Sequence, residues 1–467
     1  MLKARILTLV AVVLLTVAAL GGVVAAQDGT IVDIAAGDEN FSTLVSLVQA
    51  AGLADVLAGE GPFTVFAPTN EAFAELPQFV VDYLGANPEL LTRVLTYHVV
   101  SGAVTSDQIT ESMMADSMEM GAVGADMMGS QLNIQVTEEG IKVDNANVVT
   151  PDITASNGVI HVIDEVLIPP IELPEVDVLS VQPDAIIVAG SSTVFPVARR
   201  LADLFVGEGF SGDLPVESIG SGAGLERFCV NAETDIATAS RPINEEETEA
   251  CLANGRTPAE FYIGIDALVI AVSTENDFVD SLTIEQLAQV FTGAGATWAD
   301  INPDWPAEPI QIFSPGSDSG TYDYFVEEIF DEDETFIQNS GAQFSEDDNV
   351  LVQGVESSPF AIGYFGFAYY QENQDRLRAI PVEGITPSEE TGTTGEYPLS
   401  RPLFIYSAPE VMQEKPQVAA FINFFLNNVA DQLGTGADQI GYIPTNEYIQ
   451  RRDALTWLAA TNFDLSQ

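Results

Sequence analysis

The stretch Ala185-Ile-Ile-Val-Ala-Gly-Ser-Ser-Thr193 joins a short β-rich run to a turn of small residues. Residues 194–205 follow with apolar side chains at helical spacing. The same order of strand, small-residue turn and helix returns in residues 216–230 and again in 310–330. Repeated units of this kind predict an α/β fold for this part of the chain.

Three helix N-termini that meet at one cleft would bind an anion with few formal cations. Each N-terminus presents unpaired backbone N–H groups and about half a positive charge, and small residues let the backbone approach an anion closely. Hydroxyl groups add donors, and we expect Ser192 or Thr193 to cap the first helix. Gly/Ser turns are also ordinary loops of α/β folds, so that alternative stays open at this point.

An arginine follows a further predicted strand. Asp235-Ile-Ala-Thr-Ala239 is typical of a strand end, and Asn244 is expected to cap a helix over 245–252. Between them, Arg241 is placed to donate two hydrogen bonds to a phosphate in fork geometry. The alternative for Arg241 is an ion pair with one of the many nearby glutamates.

The charge balance limits the partners of this chain of 467 residues. Seventy acidic residues face fifteen Lys and Arg residues, for a formal net charge of -55. Nucleic acid is therefore excluded as a partner, because phosphate backbones are bound through Lys and Arg. A free anion experiences a repulsive field far from the surface, so any anion site must depend on short-range donors.

The N-terminus is typical of a secretory signal peptide over residues 1–26. Lys3 and Arg5 precede an apolar run from Ile6 to Ala19, and Val24-Ala25-Ala26 offers small residues for cleavage. The alternative is an uncleaved membrane anchor, because the apolar run approaches spanning length. We expect an extracytoplasmic location, in a periplasm, a cell envelope or the medium.

Export makes a disulfide between Cys229 and Cys251 plausible, and these are the only cysteines. Closing that loop would stabilise the fold by roughly 3 kcal/mol in the chain-entropy model. The alternative is two buried thiols. We expect no metal site and no cofactor, because the chain has only two Cys and two His.

Residues 170–184 are rich in proline and predict an extended linker. Before the linker, residues 113–128 are predicted as a loop. Three segments in this region resemble the fasciclin (FAS1) family: Phe63-Thr-Val-Phe-Ala-Pro-Thr-Asn-Glu-Ala-Phe73, Val94-Leu-Thr-Tyr-His-Val-Val100 and Asn157-Gly-Val-Ile-His-Val-Ile-Asp-Glu-Val-Leu-Ile-Pro169.

The fasciclin resemblance covers residues 31–169 and implies an extracellular α+β domain for adhesion or matrix contact, without shared catalytic chemistry. Tyr97 and His98 match the tyrosine-histidine pair of the family. We expect His98 to be buried and hydrogen-bonded, with a structural role rather than a ligand-binding one, since buried polar groups are normally paired.

The C-terminal region, 185–467, resembles the PstS-like phosphate-binding proteins of phosphate ABC importers. The matching segments are Gly190-Ser-Ser-Thr-Val-Phe-Pro196, Gly220-Ser-Gly-Ala-Gly224, Arg227-Phe-Cys229, Asp235-Ile-Ala-Thr-Ala-Ser-Arg-Pro242, Ser317-Asp-Ser-Gly-Thr321, Ala361-Ile-Gly-Tyr-Phe-Gly-Phe-Ala-Tyr369 and Gly441-Tyr-Ile-Pro444. The resemblance implies a two-lobed type II periplasmic-binding fold. Its first lobe would combine about 185–264 with 400–467, and its second would be about 265–399.

Position by position, the resemblance implies a phosphate site made of Ser192, Thr193, Val194, Ser221, Arg241, Ser319, Gly320 and Thr321. Some family members have an Asp after the Ala-Ser where this chain has Arg241, and an Arg where it has Pro315. That Asp accepts the proton of hydrogen phosphate and helps to reject sulfate. Its loss leaves the choice between the two anions open, with Asp318 or Asp266 as alternative acceptors.

The expected function is the capture of inorganic phosphate for the permease of an ABC importer, with the fasciclin domain as an attachment to envelope or matrix. We expect no enzyme activity, because neither His lies in the C-terminal region and metal ligands are lacking. Two alternatives remain: a surface adhesion protein with a vestigial binding domain, and a binding protein for another oxyanion such as sulfate.

Overall fold

The computed structural model describes residues 29–119, 130–137, 140–293, 296–317, 319–331, 333–345, 347–434 and 439–463. The predicted signal peptide, Asp318 and most of the predicted loop over 113–128 lie outside these ranges. Within them, no helix has the length and apolar character needed to cross a bilayer.

The N-terminal region is built on one sheet of seven strands with helices packed against it. The helices are α1 (Ile31–Ala36), α2 (Ser42–Ala50), α3 (Ala54–Leu57), α4 (Asn70–Ala74), α5 (Gln78–Ala86) and α6 (Pro88–Tyr97). The strands are β1 (Phe63–Pro68), β2 (Val99–Ser101), β3 (Met113–Asp116), β4 (Gln131–Val136), β5 (Ile141–Val143), β6 (Ala146–Ala155) and β7 (Gly158–Ile163).

The order of this sheet is β2-β1-β7-β6-β5-β4-β3, with β1 and β7 parallel and the other neighbours antiparallel. The sequence predicts Thr69 or Asn70 as the cap of a short helix after Pro68, and in the structure Thr69 caps α4. The prediction of a loop over 113–128 is wrong for β3, where Met113–Asp116 pairs with Gln131–Ile134. Backbone pairing there outweighs the weak strand signal of a Met-rich segment.

The C-terminal region is built on a second sheet of nine strands. They are β8 (Val188–Gly190), β9 (Val216–Ser218), β10 (Ile236–Ala239), β11 (Ala259–Ser273), β12 (Gln311–Pro315), β13 (Gln343–Ser345), β14 (Ala361–Gly366), β15 (Leu377–Ala379) and β16 (Ser400–Ser407). Their order is β13-β12-β14-β11-β16-β10-β8-β9, and β15 also pairs with β11.

Helices cover this sheet and form the rest of the region. They are α7 (Phe195–Gly207), α8 (Ser221–Cys229), α9 (Glu245–Ala253), α10 (Ile284–Phe291), α11 (Trp298–Ile301), α12 (Gly320–Phe330), α13 (Thr335–Gln338), α14 (Asp348–Glu356), α15 (Phe367–Glu372), α16 (Glu389–Thr393), α17 (Pro409–Glu414), α18 (Pro416–Gln432) and α19 (Glu447–Thr461).

Strand β11 connects the two halves of the second sheet. Its first part, from Ala259 to Ala267, pairs with β16, and its second part, from Leu268, pairs with β14. Almost every side chain of β11 is buried, because helices cover both faces of the sheet. Strand β11 therefore extends through both lobes, and the chain returns to the first lobe at β16; β11 and β16 are called the hinge strands below.

The N-terminal region packs against the first lobe through α5 and α19. The hydroxyl of Tyr83 donates to the carbonyl of Phe463 at 2.6 Å, and that of Tyr448 donates to the carbonyl of Val166 at 3.2 Å. The predicted linker crosses this interface with Val178 buried and one short turn of 3-10 helix at Val178–Ser180. It is therefore a packed segment of the structure.

The Tyr97–His98 pair lies in the interior of the N-terminal region. His98 Nε2 accepts the N–H of Leu167 at 2.9 Å, so Nδ1 carries the proton that it donates to the carbonyl of Val94 at 2.7 Å. Burial lowers the pKa of His98 to about 4. The prediction of a buried, hydrogen-bonded His is confirmed.

Candidate oxyanion site

The turn after β8 is stabilised by a side chain that the sequence analysis did not select. Ser191 Oγ accepts the backbone N–H groups of Thr193 at 3.2 Å and of Val194 at 3.3 Å. The prediction that Ser192 or Thr193 caps α7 is therefore wrong, because the hydroxyl that accepts the amide N–H groups of this turn is that of Ser191. Val194 is fully buried, so an anion here would compete with Ser191 for the two amides.

The sequence predicts a turn over 220–224 and a helix that begins at Leu225, but helix α8 begins at Ser221. Gly220 makes this possible with φ of 88°, in the left-handed region that favours glycine. Gly224 lets α8 approach β8, because a Cβ there would lie 2.4 Å from Gly190 Cα. The first-turn residues Ser221 and Gly222 line a cleft, where the orphan N–H groups of a helix start are available.

Arg241 lies beside the first turn of α8 and is already paired. Its Nη1 and Nη2 donate to the two carboxylate oxygens of Glu247 at 2.9 and 2.7 Å. This hydrogen-bonded pair raises the pKa of Arg241 and lowers the pKa of Glu247. Glu247 also closes the capping box of α9 with Asn244, the cap that the sequence predicts. Arg241 nevertheless lines the cleft, with 42% of its side chain exposed.

A small hydroxyl network joins the two segments. Ser221 Oγ accepts the backbone N–H of Ser240 at 3.1 Å and lies 3.2 Å from Ser240 Oγ. Cys229 at the end of α8 and Cys251 in α9 form the predicted disulfide, which is confirmed. The disulfide and the hydroxyl network therefore link the elements that carry Ser221 and Arg241.

The second lobe contributes helix α12, but not through the residues that the sequence analysis selected. Ser319 Oγ accepts the N–H of Thr321 at 3.2 Å and caps the helix. Ser319, Gly320 and Thr321 are not among the residues that line the cleft. The next turns of the same helix line it instead, through Tyr322, Asp323, Val326, Glu327 and Glu328.

The cleft has a volume of about 670 Å³ and is largely polar. It brings together four of the predicted site residues, Ser192, Thr193, Ser221 and Arg241. Its other lining residues are Ser191, Gly220, Gly222, Ser240, Tyr322, Asp323, Val326, Glu327, Glu328, Glu334 and Arg401. Two guanidinium groups and four carboxylates therefore face one space.

Arg401 is the site residue that sequence reasoning missed. It lies on β16 directly opposite Asp266 of β11, and its Nε donates to Asp266 Oδ2 at 3.2 Å. Both side chains are only 8% exposed. Burial raises the pKa of Asp266, while the charge of Arg401 opposes that shift. The available signal was a charged residue inside an apolar strand, because a buried Arg requires a partner.

Asp266 is therefore held by Arg401 and is not among the residues that line the cleft. No cluster of three or more His, Cys, Asp or Glu side chains suited to a metal ion occurs in the described ranges. The chemistry available at the cleft is hydrogen-bond donation from hydroxyls, amides and guanidinium groups.

Comparison with known proteins agrees with this architecture. Residues 39–169 match the family described as Fasciclin domain, and residues 178–429 match the PBP superfamily domain. The chain is 39% identical over 277 residues to Protein SphX of Synechocystis sp., covering 56% of this chain and 79% of SphX. It is 36% identical over 273 residues to Phosphate-binding protein PstS of Staphylococcus saprophyticus, covering 57% and 82%.

A solved structure is also similar. It is the crystal structure of a possible phosphate binding protein from Planctomyces limnophilus, with 34% identity and a TM-score of 0.54, covering 59% of this chain and 98% of that chain. The shared hinge strands and the interlobe cleft define a two-lobed binding protein. This chain belongs to the PBP superfamily, in the group that contains SphX and PstS, and carries a fasciclin domain before it. The predicted family and fold class are confirmed; the exact limits of the domains and lobes stay predictions.

Proposed function

We propose that this chain binds inorganic phosphate in the cleft and delivers it to the permease of an ABC importer. The observation that carries the proposal is the convergence of Ser221, Arg241 and the N-terminus of α8 on one polar space. A guanidinium, hydroxyls and helix-start amides are the donors that a tetrahedral oxyanion requires. A relative of this chain is named Phosphate-binding protein.

The shared strands support capture by closure of the two lobes. Because β11 pairs with β16 of the first lobe and with β14 of the second, small changes in the backbone angles where the lobes join would bring α12 toward α8. Closure would also carry Ser319, Gly320 and Thr321 toward the anion, which is the role proposed for them. The fasciclin region contacts the first lobe through α5 and α19.

We further propose that the chain acts outside the cytoplasm, without turnover, and that its fasciclin domain attaches it to envelope or matrix. Both His residues lie in the fasciclin domain and are buried, so neither is available to a nucleophile at the cleft. Detectable phosphatase activity in the purified protein would contradict this part of the proposal.

Isothermal titration with phosphate tests the binding function directly. Arg241→Ala is expected to weaken binding by about 1.5–3 kcal/mol, the range of hydrogen bonds to charged groups. The matched control is Arg199→Ala, which removes the same charge from an exposed pair with Asp203 on α7. Absence of binding heat in the unmodified protein would contradict the proposal and favour an adhesion protein with a vestigial cleft. Equal competition by sulfate would broaden the ligand to tetrahedral oxyanions.

A further inference from the structure

Arg401 is the second cation of the cleft, and it comes from the hinge strands. Its Nε is held by Asp266 of β11, and its Nη1 donates to Glu327 Oε2 of α12 at 2.7 Å. The guanidinium carbon also lies 3.7 Å from the centre of the Tyr324 ring. Arg401 thus connects both hinge strands with the second lobe, while its side chain lines the same space as Ser221 and Arg241.

The two carboxylates that hold Arg401 differ in how easily they can leave. The Asp266 side chain is 8% exposed, so separating it from Arg401 would leave a buried charge without a partner. The Glu327 side chain is 52% exposed, so it can turn into water at little cost. Nη2 of Arg401 has no hydrogen-bond partner in the described part of the chain.

We propose that Arg401 is an oxyanion-contacting residue, and that Glu327 is an internal carboxylate that occupies it until the ligand takes its place. Glu327 accepts one hydrogen bond, from Nη1, whereas a phosphate can accept two, from Nη1 and Nη2, so the ligand can replace Glu327 and form one more bond. Asp266 and the Tyr324 ring keep the guanidinium in position during the exchange. This inference rests on the proposed function.

The exchange also limits the build-up of negative charge in the cleft. Asp323, Glu328 and Glu334 line it in addition to Glu327, and the whole chain is strongly acidic. An arriving oxyanion would add charge to this wall unless a carboxylate left it. Glu247 is less able to leave Arg241, because it is 18% exposed and also closes the capping box of α9. Glu327 is therefore the carboxylate that the ligand displaces.

Phosphate titration of Glu327→Gln in the full chain tests the exchange. We expect binding about 3- to 10-fold tighter, because the ligand no longer competes with a charge-assisted hydrogen bond. The matched control is Glu356→Gln, which removes the same charge from a half-exposed carboxylate that is also paired with an arginine, Arg376, but is not among the residues that line the cleft. We expect that control to change affinity by less than about twofold.

A second pair of variants separates the roles of the two residues. Arg401→Lys keeps the charge but removes the fork, and it is expected to weaken phosphate binding at least about tenfold. In that background, Glu327→Gln should lose most of its effect, because the two residues act through one contact. Thermal unfolding without ligand shows whether each variant is folded.

The outcomes distinguish this inference from the proposed function. If the unmodified chain binds phosphate but Glu327→Gln and Glu356→Gln change affinity equally, the exchange is wrong and the function stands. Unchanged affinity in folded Arg401→Lys would likewise exclude Arg401 as a ligand contact. If the unmodified chain does not bind phosphate, the proposed function is wrong and this inference falls with it.

Discussion

His98 of the fasciclin domain and Arg401 of the interlobe cleft are both buried polar side chains, but they have different kinds of partner. In the fasciclin domain, His98 is buried as a neutral ring, with both nitrogens bonded to backbone groups of the same domain. In the cleft, Arg401 is buried as a cation whose partners are carboxylates, one of them half-exposed. A neutral group whose hydrogen bonds all go to the backbone stabilises one conformation. A charged group that is paired with an exposed carboxylate can exchange that partner for another.

The largest effect that we expect is the loss of stability when Arg401 loses its buried partner. Asp266→Ala leaves Arg401 buried with only the exposed Glu327, and it is expected to lower the free energy of unfolding by about 3–5 kcal/mol. Urea unfolding of the full chain measures this loss. Glu327→Gln provides the control. We expect it to change the free energy of unfolding by about 0–1 kcal/mol, because Glu327 is half-exposed and water can replace its bond to Arg401. Similar losses in both variants would remove the distinction between the two carboxylates.

The pH dependence of stability tests whether His98 is neutral in the folded chain. The pKa of His98 is about 4 in the folded chain and 6.5 when unperturbed, so between these values the unfolded chain binds a proton that the folded chain does not. Stability is therefore lost as pH falls from about 6.5 to 4, by up to about 3 kcal/mol. Urea unfolding at pH 7 and pH 4.5 measures the loss. His98→Gln should reduce this pH dependence, and an unchanged slope would show that His98 is protonated in the fold.

The smallest expected effect concerns how the anion reaches the cleft. With a formal net charge of -55, the field of the chain repels phosphate before any short-range donor acts. Raising the salt concentration from about 0.01 to 0.15 M shortens the Debye length from about 30 to 8 Å and should increase the association rate constant several-fold. Stopped-flow measurements with two different salts separate screening from specific ion effects. A decrease with both salts would show that local attraction by the arginines dominates the encounter.

Much of the fold was predictable because it depends on local patterns. Apolar runs predicted strands such as the one that ends at Ala239, and Thr69 and Asn244 were recognisable as candidate helix caps from the residues that follow them. The disulfide was predicted from the expectation of export and from the presence of only two cysteines. Each of these predictions depends on neighbours in sequence or on composition, which a single sequence shows.

The candidate site was predictable only in part. Ser221 and Arg241 belong to recognisable turns, and the pair of Arg241 with Glu247 is the ion pair that the sequence offered as an alternative. Which glutamate it is, and the start of α8 at Ser221, depend on packing that the turn itself does not show. Arg401 was missed because its partners lie 135 and 74 positions away along the chain. No local pattern indicates that a charge in an apolar strand will meet a carboxylate of another strand and one of another lobe.

By itself, the sequence determined the two-domain order, the acidic field, the disulfide pair and the set of small-residue turns, because composition and local spacing carry them. The charges that meet at the cleft became visible only in the folded chain, where Arg401 lies between Asp266 and Glu327. The physical reason is that electrostatic partners are selected by distance and burial in three dimensions, and both quantities arise only when β11, β16 and α12 come together.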